Sequence, residues 1–148
     1  MSFEKKLKTI QNLFIDSLPF IYFVEKNKEF NKIASVIFKL LDENKIRLFT
    51  SVITLTEILT KPYSARKIKL VENFQFLIQN TTNLKVIYIN YNIAIEAAKL
   101  RAKYNSLRTI DAIQVATAME NKCEVFVTND LRLKNISETE IILLKNYI

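Results

Sequence analysis

The chain has 148 residues, with 22 Lys and Arg against 15 Asp and Glu for a formal charge of +7, which suits one domain with a full core and a polyanionic partner, nucleic acid first. Histidine and glycine are absent, and cysteine occurs once, as Cys123. These absences exclude a Ser-His-Asp triad, a Cys-His dyad, a histidine or thiolate-cluster zinc site, an imidazole-driven ribonuclease, an internal disulfide, a Walker loop and a GxGxxG fingerprint.

Lys5 and Lys6 precede an apolar stretch, but Asp16 and Pro19 interrupt it and no small-residue cleavage site follows, so no signal peptide is expected. The longest uncharged run, Asn73 to Leu84, is half polar and shorter than the ~20 apolar residues of a membrane helix. A soluble, cytoplasmic protein is therefore expected, without a membrane partner.

After the basic lead, Leu13-Phe14-Ile15 reads as a strand ending at Asp16-Ser17, with a helix to follow through Phe20 to Glu25. Phe30, Ile33, Ala34, Ile37, Leu40 and Leu41 recur at helical spacing and predict a helix over about Phe30 to Glu43. Ile46 to Thr50 reads as the second strand. Thr54-Leu55-Thr56-Glu57 has the spacing of a capping box opening the next helix. Pro62 suits the first turn of a further helix running to about Gln79, with Ile68, Val71, Phe74, Leu77 and Ile78 as its apolar face.

Val86 to Ile89 is the third strand candidate, and Asn92 to Tyr104 a helix carrying Ala94, Ala97, Ala98 and Leu100. Thr109 then stands where a helix N-cap belongs, which places Asp111 in the first turn. Ala112, Ala116 and Ala118 would let this helix lie close to a sheet, Asn121 would replace the glycine that often ends a helix, and Val125 to Val127 reads as a buried parallel strand. Ile141 to Leu144 closes the chain as a fifth strand. The alternation predicts one α/β domain over residues 1–148, with a mostly parallel central sheet of about five strands flanked by helices.

Four acids stand out by position: Asp16, Glu57, Asp111 and Asp130. Each also has a local explanation, as a strand-end turn, the arm of a capping box, a helix-dipole partner and a turn residue respectively. Four separate local reasons do not predict that all four fall along the carboxyl edge of one sheet, where open α/β folds hold their ligands. Gathered carboxylates repel, and without histidine or cysteine beside them they suit a hard cation, Mg²⁺ or Mn²⁺. Glu25 is a weaker addition, read as surface acid. Lys61, Arg66, Lys67 and Lys69 could meet phosphates or simply form a solvated helix face. Phe20, Tyr22 and Phe23 read as core before base-stacking platforms, and Cys123 as an inert packing residue.

On these residues the chain resembles the PIN domain, and within it the VapC-type toxins of toxin–antitoxin pairs. The strongest part is Thr109-Ile110-Asp111-Ala112 with Ala116-Thr117-Ala118, then Phe126-Val127-Thr128-Asn129-Asp130, which resemble the family's third and fourth acidic motifs in order and spacing. Ile15-Asp16-Ser17 resembles the first, and Ser51 through Thr56-Glu57-Ile58-Leu59 the second. Ile110 replaces a frequent proline, Asn121-Lys122 a frequent glycine and Leu133 a frequent phenylalanine; no acid is lost.

The resemblance implies a Mg²⁺- or Mn²⁺-dependent ribonuclease, with Asp16, Glu57, Asp111 and Asp130 as metal-site acids, Ser17 and Thr128 nearby, and Lys61, Arg66 and Arg108 toward the RNA phosphates. It also implies a homodimer and a cognate antitoxin, whose basic side chain would enter the acid cleft while an apolar helix fills a groove between the helices at about Phe30–Glu43 and Pro62–Gln79. The alternatives are a nuclease of the same fold in RNA processing or DNA cleavage, a non-catalytic RNA-binding relative, and a phosphotransfer or phosphatase domain. The last is disfavoured because Asp16 is followed by Ser17-Leu18 rather than by a second acid.

Overall fold

The computed structural model describes residues 1–148. Five strands, β1 (Asn12–Ile15), β2 (Arg47–Ser51), β3 (Leu84–Ile87), β4 (Val125–Thr128) and β5 (Glu140–Leu143), form one sheet in the order β3-β2-β1-β4-β5. Every neighbouring pair is parallel. Seven helices accompany them: α1 (Phe3–Leu7), α2 (Ser17–Val24), α3 (Asn31–Asp42), α4 (Val52–Ser64), α5 (Ile68–Asn80), α6 (Tyr91–Lys103) and α7 (Thr109–Glu120).

A strand buried on both faces must be apolar at every position, and its side chains divide by parity between two cores. Leu13 and Ile15 of β1 and Val125 and Val127 of β4 enter the core under α1 to α5. Phe14 and Phe126 enter the core under α6 and α7, where their rings stack with centroids 4.9 Å apart. Ala112, Ala116 and Ala118 are fully buried in that second core, as their small size requires if α7 is to lie close against the sheet.

From β1 the chain passes through β2 to β3 with helices on one face, then returns past β1 to β4 with helices on the other. Reversing direction and face together keeps the hand of the crossovers constant. The reversal leaves a crevice at the carboxyl ends of β1 and β4, and Asp16 and Asp130 lie just beyond those ends.

Without glycine, other residues take the left-handed backbone positions. Lys26, Asn44, Arg66, Asn83 and Lys122 have φ between 51° and 63°. Lys26, Asn44, Arg66 and Lys122 each follow a helix C-cap directly, where glycine would avoid a steric cost of about 1 kcal/mol. The residue beyond α7 with positive φ is thus Lys122 and not Asn121, whose Nδ2 instead donates to the Thr117 carbonyl at 2.8 Å.

Several local expectations are corrected. Residues Phe3 to Leu7 of the basic lead form a short helix capped by Ser2, which buries Phe3 and Leu7. β2 runs to Ser51, whose Oγ accepts from the Ile53 amide at 3.1 Å and caps α4. The cap therefore falls before Thr54, and Thr54 and Glu57 form no capping box. Pro62 does not open a helix but lies buried in the last turns of α4, and α5 begins at Ile68. A helix already nucleated loses one bond there more cheaply than it would stop and restart. Ile68, at the start of α5, is exposed. In α6, Ala97 and Leu100 are buried with Ile93, whereas Ala94 and Ala98 face solvent. Arg108, without a side-chain cap bond, is the N-cap of α7, and Thr109 is its first helical residue. No helix is long and apolar enough to cross a membrane.

Candidate active site

The crevice at the carboxyl edge is a cleft of ≈ 180 Å³ lined by Asp16, Ser17, Glu57, Asp111 and Asp130, together with Arg108, Gln114 and Arg132. The four acids singled out in the sequence therefore share one site, although they come from four different segments. Asp16 is the N-cap residue of α2, Glu57 lies in the second turn of α4, Asp111 in the first turn of α7, and Asp130 just past β4. With the capping box gone, the local explanation of Glu57 goes too.

Asp16 is the least satisfied of them. Its Oδ2 accepts from the Thr128 hydroxyl at 2.5 Å, while Oδ1 is buried with no hydrogen-bond partner. Burial pushes its carboxyl up to about 7, with help from Glu57 and Asp130 nearby and against the Thr128 hydrogen bond and the weaker pull of the Leu18 backbone amide. Glu57 is half-buried, and its carboxyl is likewise raised, first by burial and then by Asp111.

The other two acids are neutralised. Arg108 Nε donates to Asp111 Oδ2 at 2.7 Å and its Nη2 to Oδ1 at 3.1 Å. Arg132 Nη2 donates to Asp130 Oδ2 at 2.6 Å and its Nε to Oδ1 at 2.9 Å. Arg108 Nη2 also stands 3.9 Å from Asp130 Oδ2. The Arg132 hydrogen bond holds the Asp130 carboxyl below the usual carboxylate range.

A buried polar network braces the elements that carry these acids. Gln114, one turn beyond Asp111, accepts from the Ser51 hydroxyl and donates to Thr54 Oγ1 at 2.8 Å, and Thr50 Oγ1 stands 2.8 Å from the same atom. Thr50 also hydrogen-bonds the Ile15 carbonyl at 2.8 Å, beside Asp16. The network ties α7, α4 and the ends of β1 and β2, so the backbone around the cleft is set by packing on both faces.

The donor set is all oxygen, and a buried carboxylate oxygen without a partner is what a hard cation would satisfy. On donor chemistry and on Asp16 Oδ1, the residues fit Mg²⁺ or Mn²⁺. No three acids converge closely enough to cage an ion in this arrangement.

Of the other residues expected near the site, Ser17 lines the cleft and Thr128 bonds Asp16, but Lys61 and Arg66 do not line it. Lys61, one turn beyond Glu57 on α4, lines a neighbouring pocket with Glu25, Glu57 and Lys67. Arg66 is exposed in the left-handed turn after α4. Phe20 is fully buried, Phe23 stacks on Phe38 and Tyr22 on Phe30, so these aromatics are core. The Cys123 thiol is buried and pushed up to about 12 by that burial, which makes it inert. Arg132 and Gln114 escaped the sequence reading; the proximity of Arg132 to Asp130 was the available signal for the first.

The PIN domain family model matches residues 13–139. Among solved structures, the chain is similar to VapBC2 from Rickettsia felis bound to a DNA fragment from its promoter, at 15% identity and TM-score 0.73, over 90% of this chain and 98% of that one. It is similar to VapBC-1 from nontypeable Haemophilus influenzae at 18% identity and TM-score 0.71, over 91% and 99%. It is also similar to Mycobacterium tuberculosis VapC20, a sarcin-ricin loop cleaving toxin, at 13% identity and TM-score 0.66, over 86% and 98%. At such identities the likeness is one of fold. No curated protein matches the sequence significantly.

Proposed function

The chain belongs to the PIN-domain family, and from that premise we propose that it is a divalent-metal-dependent ribonuclease, the toxin of a toxin–antitoxin pair. The observation that carries the reading is the meeting of Asp16, Glu57, Asp111 and Asp130 in one cleft, with Asp16 Oδ1 buried and unpartnered. Asp16, Asp111 and Asp130, with Glu57, would hold Mg²⁺ or Mn²⁺. Such an ion supplies Lewis acidity, lowering the pKa of the attacking water and screening charge on the phosphate.

The chain's own residues do the rest. The Thr128 hydroxyl orients Asp16 by donating to Oδ2. The Gln114 network holds α4 and α7 against β2, so that Glu57 and Asp111 keep their approach to Asp16. Arg108 and Arg132 supply positive charge at the mouth for an RNA phosphate, and the chain's net charge of +7 favours a polyanion overall. With no histidine to drive attack by the RNA 2′-hydroxyl, hydrolysis by water leaves 5′-phosphate and 3′-hydroxyl ends.

The antitoxin part rests on a groove. Phe23 and Val24 at the end of α2, Asn31 and Ser35 of α3, and Phe76 and Leu77 of α5 line a depression of ≈ 520 Å³, with Phe76 69% exposed. An amphipathic helix of a partner would bury these side chains. Of the proteins similar in fold, one from Klebsiella pneumoniae is described as a toxin–antitoxin complex and one from Mycobacterium tuberculosis as a member of the VapBC family of toxin–antitoxin systems.

The test is cleavage of total RNA with Mg²⁺ and with EDTA, the product ends being sequenced. Cleavage with Mg²⁺ alone and 5′-phosphate ends is the expected result, whereas 2′,3′-cyclic phosphates would show that the 2′-hydroxyl is the nucleophile. Expression alone and with the product of an adjacent small reading frame, followed by growth and co-purification, tests the pairing. A chain that cuts RNA but is harmless alone is a processing nuclease instead.

A further inference from the structure

Two of the four cleft acids are covered by the chain's own arginines, and the geometry of that cover has a direction. Arg108 reaches Asp111 from the N-cap position of α7, and Arg132 reaches Asp130 from the short 3-10 turn after β4. Side chains of Asp111 and Asp130 are 11% and 16% exposed, while those of Arg108 and Arg132 are 51% and 57% exposed. The arginine side chains are therefore the more solvent-exposed partners of each pair, and a cation seeking the carboxylate oxygens competes with them.

We propose that Arg108 and Arg132 are exchangeable counter-ions of the cleft: they hold Asp111 and Asp130 until a divalent cation takes those carboxylates, and the released guanidiniums then bind the phosphates flanking the cut. The proposal rests on the metal-dependent ribonuclease reading and assigns these side chains two successive partners. The arginine side chains are half-exposed, so water screens each pair and holds its net worth to about five-fold in an equilibrium, which a divalent cation can outcompete for the same carboxylate. A guanidinium stays charged at every working pH, and its planar fork matches phosphate as well as carboxylate. The pairing also accounts for the finding that no three acids cage an ion, since two of them are turned to arginine.

The same geometry makes metal and RNA binding cooperative: the cation frees the phosphate-binding groups, and by reciprocity RNA held by those groups favours the cation. Arg108 further bridges the two pairs, its Nη2 standing 3.9 Å from Asp130 Oδ2, so removing it loosens both.

The test uses the full chain as wild type, Arg108→Gln, Arg132→Gln, the double variant and Arg132→Lys. Mn²⁺ binding is measured by calorimetry, and binding of a phosphorothioate RNA oligonucleotide that resists cleavage by fluorescence anisotropy, with Mn²⁺ and with EDTA. The expected result is Mn²⁺ affinity tightened about five-fold in each single glutamine variant and more in the double variant, with Arg132→Lys between. RNA affinity with Mn²⁺ falls in the glutamine variants, and its log–log salt slope flattens by about 0.7 for each arginine lost; with EDTA, RNA affinity stays at the wild-type value. Equal Mn²⁺ affinity in all five proteins overturns the exchange but leaves the metal-dependent ribonuclease reading standing. RNA binding lost equally with Mn²⁺ and with EDTA also overturns it, since the arginines would then be permanent phosphate ligands. No Mn²⁺ binding by any of the five overturns both readings.

Discussion

The two halves of the cleft answer the same problem differently. Asp111 and Asp130 are brought under the sheet's edge with a guanidinium each, while Asp16 and Glu57 enter it with no ion pair at all. Carboxylates neutralised within the chain cost little to bury, whereas those left without a cation are raised toward neutrality or wait for a partner from outside. The half that is locally worst placed is therefore the half that most demands a ligand.

The largest effect expected is on chemistry. Asp16→Asn and Asp111→Asn should each lower cleavage by on the order of 10²–10³ or more, since both remove an anionic oxygen where charge must be held. Rates on a defined RNA with Mg²⁺, with circular dichroism as a check of folding, measure this; a fully active Asp111→Asn protein would sink the metal-site reading for both halves.

On stability the halves should diverge. The folded chain holds the Asp16 proton more tightly than the unfolded chain does, because the folded carboxyl is raised to about 7. Its contribution to stability therefore falls as pH rises from the ordinary carboxylate range to about 7, and is level above. Asp16→Asn should remove that fall and stabilise the protein in EDTA at pH 8 by on the order of 2 kcal/mol, read from urea unfolding at pH 5 and pH 8. Asp130 has the opposite sign: its carboxyl is lowered by Arg132, so its stabilisation is present at neutral pH and lost in acid. If Asp130→Asn also stabilised the protein at pH 8, the contrast between the halves would fail.

Glu138, which does not line the cleft, is a control for a fully satisfied carboxylate. Desolvation acts to raise it, but the Tyr104 hydroxyl, donating at 2.5 Å, and Lys103, at 3.0 Å, bring it down to about 2. Glu138→Gln should cost about 1 kcal/mol at pH 7, and almost nothing at pH 2, where the contribution is being lost. Cleavage should be unchanged. The smallest effect is expected at Lys122, whose φ of 55° follows the helix that carries Asp111. Lys122→Gly should raise stability by about 0.5–1 kcal/mol, seen as a higher urea midpoint, with Mn²⁺ affinity unaltered.

Much of this was legible because its causes are local. Runs such as Leu13-Phe14-Ile15 and Val125-Phe126-Val127 can be little else than buried strands, and Phe30 to Leu41 repeats at helical spacing, so element type and the parallel α/β class follow from side-chain periodicity. The acids were legible because each ends a strand or lies early in a helix, and parallel strands put those ends on one edge. Boundaries were less so. Ser51 and Thr54 are equally good caps by composition, and only the length of β2 chose Ser51.

What only the tertiary structure decided is how the acids are treated once they meet. Nothing in the spacing of Asp16 from Thr128, or of Ser51 from Gln114, announces a hydrogen bond, because these partners lie 112 and 63 residues apart and become neighbours only when β1, β2, β4 and α7 pack. Burial and electrostatics depend on the whole surroundings of a group, so Asp16, buried without a cation, and the arginine-covered Asp111 could not be told apart as letters. By itself the sequence determined the elements, the edge and the identity of its acids; packing decided which carboxylates are neutralised within the chain and which are left for a cation, because those energies are set by neighbours brought from distant parts of the chain.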